Sequence, residues 1–352
     1  MGEDWAGRLR DDDIVLDALP DSMQESLEER RRFVKSLRSD PGEIEFLVSD
    51  LQRWRPGETV TVAFLGGDKA LHSDIADATR AITDVCNITL DFGFDEATGA
   101  YRKWSTGDKQ YRADIRVSFD KGGFWSLVGT DSVDPRIGDP ADDIGGRPHQ
   151  RSLNLGGFDI RRPDNWKGVV RHEFLHALAF QHEHQNMRGP CSKEFRWEDD
   201  EGYQLTLDAD DRAVPDAQGR RPGIYTYLAG FPNFWPKEKV DHNLLTEEDP
   251  GAVAGSFDSN SVMLYQFPAL FYRTEKSSCA PTGDGIELSE GDIRGLQLLY
   301  GNRPEDAKSF EERTRALASA IESAYPEVQT ESVSDKSFAH TAMRHIARAL
   351  RE

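Results

Sequence analysis

Apolar and polar positions fall into runs of distinct period from residue 59 onward. Thr59–Leu65 is rich in β-branched and apolar residues and reads as a strand buried in a sheet. Residues 70–85 carry Ile75, Ala78, Thr79 and Ile82 at helical spacing, which predicts a helix with that face inward. Shorter runs at 88–92, 115–119 and 152–155 predict further strands. Helical period returns after Trp166, with Val169, Val170, Phe174 and Leu178 inward and Asn165 or Asp164 as the cap. A strand, a helix, further strands and a second helix make an α+β order, a mixed twisted sheet backed by two long helices. This upper half ends near Gln181, and the acidic, turn-rich chain after it predicts a less regular lower half.

Both ends of the chain read as helical extensions, 1–53 and 303–352, around a central domain of residues 54–302. In the first, Ser22 and Glu25 make a capping-box pattern, and Met23, Leu27, Val34 and Leu37 recur at helical spacing over 21–39. Arg30, Arg31 and Arg32 lie amid acids and read as a solvated face. At the C-terminal end, helices are expected over 305–324 and 337–351. The second carries Phe338, Ala342, Ile346 and Leu350 on one stripe beside Arg344, Arg348 and Arg351. Packing back onto the central domain is the favoured reading of that stripe, and binding a partner or an anionic surface is the alternative.

The chemistry concentrates on the second long helix. His172 and His176, at i and i+4, share one helix face and aim two imidazoles at one point. Glu173 sits one residue round, placed to hold a water against a metal without ligating it. His182 would lie about 240° around the axis if the helix continued, so the helix has to end and the chain turn back. Three neutral imidazoles leave the fourth tetrahedral position to water, the open arrangement of a catalytic zinc, one Zn2+ per chain. The bland alternative is ordinary helix histidines packed on an apolar face. His242 reads as a structural histidine, and His72, His149, His340 and His345 as surface or packing residues. Downstream, Met263 and Tyr265 stand two apart in Ser261-Val262-Met263-Leu264-Tyr265, after the loop 255–260. Such a turn can put a soft thioether beneath the metal and a phenol beside it.

With these residues in register, the sequence resembles the metzincin clan and, within it, the astacin family of zinc metalloendopeptidases, over residues 54–302. Glu183 directly follows the third histidine, and Tyr265 stands two after the methionine, as in that family. Weaker echoes are Phe124-Trp125-Ser126-Leu127-Val128-Gly129, Ser152-Leu153-Asn154-Leu155, and the run from Leu288-Ser289 through Asp292 to Leu299-Tyr300. The resemblance implies a metzincin-like fold with a zinc cleft and His172, His176 and His182 as ligands. It also implies Glu173 as general base and Tyr265 as a donor that stabilises the oxyanion. A peptide substrate is expected to lie extended along the edge strand, near residues 152–155.

The departures from the family are specific. Ala179 stands where the clan has the glycine of the turn, and Leu264 where astacins carry His. Phe124 replaces a family cysteine and no cysteine follows Tyr300, so neither family disulfide can form. Gln185-Asn186-Met187-Arg188 replaces the usual arginine pattern. In astacins the glutamate after the third histidine pairs with the processed N-terminus, which here would need a cut near residues 50–54. In the uncut chain Glu183 is expected to be hydrated, hydrogen-bonded otherwise, or paired with an arginine. Phe46-Leu47-Val48-Ser49-Asp50 is only a loose echo of the family's inhibitory propeptide motif.

Charge and composition bound the partners. A formal net charge of −20 argues against nucleic acid and anionic membrane. The 352 residues hold no 18-residue apolar stretch, so no membrane-spanning helix is expected. The first twenty residues are acidic, with no apolar core of signal-peptide length, which leaves the compartment open. Cys86, Cys191 and Cys279 make no disulfide framework; free thiols are favoured over a Cys191–Cys279 bridge. A calcium site is conceivable around Asp208, Asp210 and Asp211, but regular ligand spacing is lacking. The function read from these residues is a zinc-dependent endopeptidase acting on a peptide or protein. The rivals are a latent or non-catalytic binding protein of the same fold and a zinc hydrolase of non-peptide amides.

Overall fold

Five strands form one sheet: β1 (Thr59–Leu65), β2 (Thr89–Asp91), β3 (Ile115–Ser118), β4 (Phe124–Ser126) and β5 (Leu153–Leu155), in the order β2-β1-β3-β5-β4. The computed structural model describes residues 52–186, 189–245, 256–274 and 276–303. It also describes residues 7–10, 15, 16, 18, 19, 23 and 27 before them, and 308, 311, 312, 315, 316, 318, 319 and 323 after them. Pairing is parallel across β2, β1, β3 and β5, with Val62 opposite Ile115 and Val117 opposite Leu153. Only β4 runs antiparallel, with Trp125 opposite Asn154. The strand expected at 152–155 is therefore interior, and the edge strand beside it is β4. Three residues are too few for apolar alternation to register, so β4 was legible only as an echo of a family motif.

Helices α1 (Lys69–Thr83) and α2 (Trp166–Ala177) pack on each other and on the sheet. The face of α1 read from the sequence is the buried one: Ile75, Ala78, Thr79 and Ile82 all lie inside. Asp68 caps that helix, its carboxylate accepting from the Leu71 amide at 2.8 Å. Asn165 occupies the cap position of α2 but makes no side-chain cap bond. The first turn of α2 is fixed instead by close approach, since a Cβ at Gly168 would lie 1.8 Å from the Gly285 carbonyl oxygen. One buried cluster joins Val60, Val62, Phe64, Ile75, Ile115, Val117, Leu153, Val170 and Phe174, so the sheet and both helices share a core. Arg116, fully buried in β3, donates to the carbonyls of Gln150, Gly145, Ala113, Asp114 and Ser132. Burial pushes its guanidinium down to about 10, still charged at neutral pH. It pins the excursion between β4 and β5 beside the edge strand.

The lower half is irregular, as expected, with short helices α3 (Cys191–Glu194), α4 (Ile224–Ala229) and α5 (Lys237–Leu244). A second buried cluster, with Phe195, Ile224, Leu228, Trp235, Val240, Leu264 and Phe267, holds it together. Helix α6 (Glu290–Leu299) then returns to the upper core through Leu296 and Tyr300. Contrary to the free-thiol reading, Cys191 and Cys279 are joined, 88 residues apart in sequence. The bridge between Phe195 and Tyr272 brings the two segments side by side, a contact that sequence separation conceals. Cys86 stays a buried free thiol. Breaking the disulfide with Cys279→Ser is expected to cost about 2 to 4 kcal/mol, because it closes a long loop. Thermal melts with and without reductant check this: a melt unchanged by the substitution contradicts it.

Of the expected N-terminal helix over 21–39, Met23 and Leu27 are described and are helical. Met23 is fully buried against Leu127 and Ile137. The remainder of that helix, and the whole apolar stripe from Phe338 to Leu350, lie outside the described residues. The described positions between 308 and 323 are helical. Among the described residues no helix is long and apolar enough to cross a membrane.

Candidate active site

The site begins with the way α2 stops. Ala179 adopts φ +70°, a left-handed conformation that ends the helix. The last carbonyls of a helix lack partners within it, and here two aromatic side chains supply them. Trp54 Nε1 donates to the Ala177 carbonyl at 2.8 Å, and Tyr300 Oη to that of Leu178 at 3.0 Å. The chain then reverses and carries His182 back over the helix. A left-handed alanine is strained relative to glycine, so Ala179→Gly is expected to stabilise the chain by about 0.5 to 1 kcal/mol with zinc affinity unchanged. Chemical denaturation with zinc titration measures both; a destabilised variant contradicts the strain.

The reversal brings together the three histidines picked out by spacing. His176 Nε2 lies 3.2 Å from His172 Nε2 and 3.1 Å from His182 Nε2. The backs of two rings are anchored: His172 Nδ1 donates to the Val262 carbonyl at 2.8 Å, and His176 Nδ1 to that of Phe180 at 2.7 Å. A carbonyl only accepts, so in the neutral rings the proton sits on Nδ1 and each Nε2 presents a lone pair inward. Burial and the neighbouring His176 hold His182 well below the usual imidazole range, which favours its neutral form. Lone pairs this close repel unless a cation lies between them. Tetrahedral zinc with Zn–N of about 2.0–2.1 Å would place such nitrogens about 3.3–3.4 Å apart, so the donor set fits that ion. Among the described residues this is the one cluster of histidine, cysteine or carboxylate groups spaced to hold a metal.

Glu173 is buried between the two helix histidines in sequence, at 1 % exposure. Tyr265 joins the cluster from the lower half, its ring stacked 5.6 Å from His172 and tilted 4.6 Å from His182. The turn that carries it is braced from α6, where buried Asp292 accepts from Ser261 Oγ at 2.6 Å and from the Val262 amide at 3.0 Å. The same turn supplies the Val262 carbonyl to His172 and the Met263 carbonyl to the Glu183 amide at 3.0 Å. Met263 itself packs into the upper core. Spacing alone did not identify Trp54, Tyr300 or Asp292 as supports; of these only Asp292 carries a local signal, the capping box it forms with Ser289.

Glu183 takes the hydrogen-bonded alternative to an N-terminal partner, its Oε1 accepting from the Asp258 amide at 2.8 Å and Asn186 Nδ2 at 2.9 Å. Burial pushes its carboxyl up, and Asp258 and Asp292 add to the effect. Other histidines lie apart from this cluster. His72 is buried and stacked 4.1 Å from Phe64, and His242 lies in α5, where its carbonyl accepts from Gln185 Nε2. His149 is half-buried, and His340 and His345 lie outside the described residues. The acids considered for calcium are engaged by arginines: Arg10 pairs with Asp208 and Asp210, Arg212 with Asp210, and Arg8 with Asp211.

No family model and no curated protein matches the sequence. Among solved structures the chain is similar to myroilysin, at 23 % identity and TM-score 0.48, over 72 % of this chain and 97 % of that one. A second myroilysin crystal structure aligns at 22 % identity and TM-score 0.41, over 72 % and 86 % of the two chains. High choriolytic enzyme 1, a hatching enzyme zinc-protease from Oryzias latipes (medaka fish), aligns at 15 % identity and TM-score 0.39, over 72 % and 97 %. In the order of its motifs, the register of its three histidines and the contacts of its Met263 turn, the chain resembles the astacin-like zinc metalloendopeptidases of the metzincin clan.

Proposed function

We propose that this chain is a zinc-dependent endopeptidase whose catalytic domain spans residues 54–302. The observation that carries the reading is the convergence of three imidazole Nε2 atoms beside a buried carboxylate that does not belong to the ligand set. A purely structural zinc has no use for Glu173. His172, His176 and His182 would hold the metal, and zinc bound there supplies Lewis acidity and brings the pKa of a bound water to about 7. Glu173 accepts a proton from the attacking water and returns it to the leaving amine. The Tyr265 hydroxyl donates to the oxyanion as charge develops, a contribution of about 3 to 4 kcal/mol for such a donor. The substrate backbone pairs with the outer edge of β4, Phe124–Ser126, which recognises an extended chain largely through its main-chain groups. Incubating the purified chain with a peptide library tests this: internal cleavage with new amino termini is expected, and a library left intact by both the full and the shortened chain described next contradicts it.

A second reading, a chain that is latent at full length, is favoured by the N-terminal residues. Val15 packs against the upper core, whereas its neighbour Leu16 is buried in the lower one, its amide donating to Asn233 Oδ1 at 3.0 Å. Arg161, after β5, donates to the Leu9 carbonyl while Arg8 and Arg10 bind the lower half. This segment therefore ties the two halves together. Just ahead of and at the start of the domain, Gln52, Arg53 and Trp54 bond to Asp131, Leu299 and Ala177, contacts that a chain starting at Leu51 keeps. A chain beginning near Leu51 is expected to turn over peptide faster than the full chain. Equal turnover, or loss with unfolding, assigns the extension to scaffolding.

A further inference from the structure

His184 lies two residues past the third histidine and is fully buried, yet its ring nitrogen faces away from the metal site. Its Nε2 lies 2.7 Å from the Asn243 carbonyl, to which it donates. Asn243 sits in the last turn of α5, where carbonyls lack partners within the helix. The next residue makes a similar contact, Gln185 Nε2 donating to the His242 carbonyl at 3.2 Å. Two successive side chains thus fasten the segment after His182 to the end of α5. The opposite relation concerns rings. His184 stacks on Tyr265 with centroids 4.7 Å apart and planes 26° from parallel, and on His182 at 5.0 Å and 30°. Phe267 closes its edge at 5.4 Å.

We propose that His184 is a positioning residue: held by the Asn243 carbonyl, its ring sets where the Tyr265 phenol stands relative to the three-histidine centre. Tyr265 comes from a turn, and its ring lies against His172, His182, His184 and Phe267. Two of these partners, His172 and His182, are proposed metal ligands, and His172 has its own anchor on the Val262 carbonyl. His184 is tied to the lower half by the hydrogen bond from its own ring to the Asn243 carbonyl. Removing the ring opens one side of the phenol and one face of His182, while leaving the side chains of all three proposed ligands in place. This deepens the reading of Tyr265 as oxyanion donor and rests on it for its kinetic consequence, though not for its structural one.

The test uses the full chain labelled with 3-fluorotyrosine, the Tyr265 resonance being assigned by its loss in Tyr265→Phe. His184→Gln keeps a donor for the Asn243 carbonyl and loses the ring; His184→Phe keeps the ring and loses the donor. In zinc-free chain the Tyr265 resonance is expected to move beyond its linewidth in His184→Gln and to return near its original position in His184→Phe. An unmoved resonance in the glutamine variant overturns the proposal whether or not the chain cleaves peptides. Should the glutamine variant fail to fold, the phenylalanine variant decides: a resonance kept in place supports a ring-based role, and a displaced one overturns it. In peptide turnover, His184→Gln is expected to lower kcat about tenfold, as one aromatic pair is worth, with KM within about twofold. The same substitution in a Tyr265→Phe background is expected to cost little more. An equal loss in both backgrounds means His184 acts elsewhere.

Discussion

Replacing Glu173 by glutamine is expected to lower kcat for peptide hydrolysis by about a hundredfold to ten-thousandfold, the range spanned by a positioned general base. Glutamine has nearly the same shape, so it fits the buried site that the carboxylate occupies on α2. It cannot accept the proton of an attacking water, whereas His172 and His176 and their Nδ1 anchors on the Val262 and Phe180 carbonyls are untouched. Zinc content, melting temperature and substrate KM should therefore stay close to those of the parent chain while turnover falls. Steady-state kinetics beside elemental analysis separates the two effects. Turnover within a few-fold of the parent would rule Glu173 out as the base.

His182→Ala removes a proposed ligand and leaves Glu173 in place, so its expected signature is the reverse: metal is lost first, and activity follows it. Two imidazoles on one helix face remain, and a two-ligand site binds weakly. The loss of affinity should exceed about a hundredfold, since even residues that merely orient a ligand are worth 10–100-fold. The helix should survive, because α2 is stopped by the left-handed Ala179 after its cap and held by Trp54 and Tyr300, none of which depends on His182. Competition with a chromophoric chelator measures the affinity. Full occupancy in the variant would remove His182 from the ligand set.

The upper half was legible wherever burial is one-sided and long enough to repeat. The extent of β1 and the inward face of α1 follow from apolar period, and the metal cluster follows from i, i+4 spacing together with the need for the chain to reverse. The end of α2 at a left-handed Ala179 could be inferred because His182 is out of reach on a continuing helix. What stayed hidden depends on contacts far apart in sequence. The edge position of β4 depends on which strands pair, and the Cys191–Cys279 disulfide on how the lower half folds back. Trp54 and Tyr300 reach the end of α2 from 123 and 122 residues away, so no local pattern announces them. No pattern in the sequence marks His184, next to Glu183; its ring contacts with Tyr265 belong to tertiary packing.

The proposed chemistry is tested most directly by titrating peptide hydrolysis against zinc in the shortened chain beginning near Leu51. One zinc per chain is expected by elemental analysis, removal by a chelator should abolish cleavage, and returning the metal should restore it in proportion to occupancy, with a plateau at one equivalent. Cleavage that persists undiminished in metal-stripped protein, or a fully loaded chain that hydrolyses no peptide bond, would contradict a zinc peptidase built on His172, His176, His182 and Glu173.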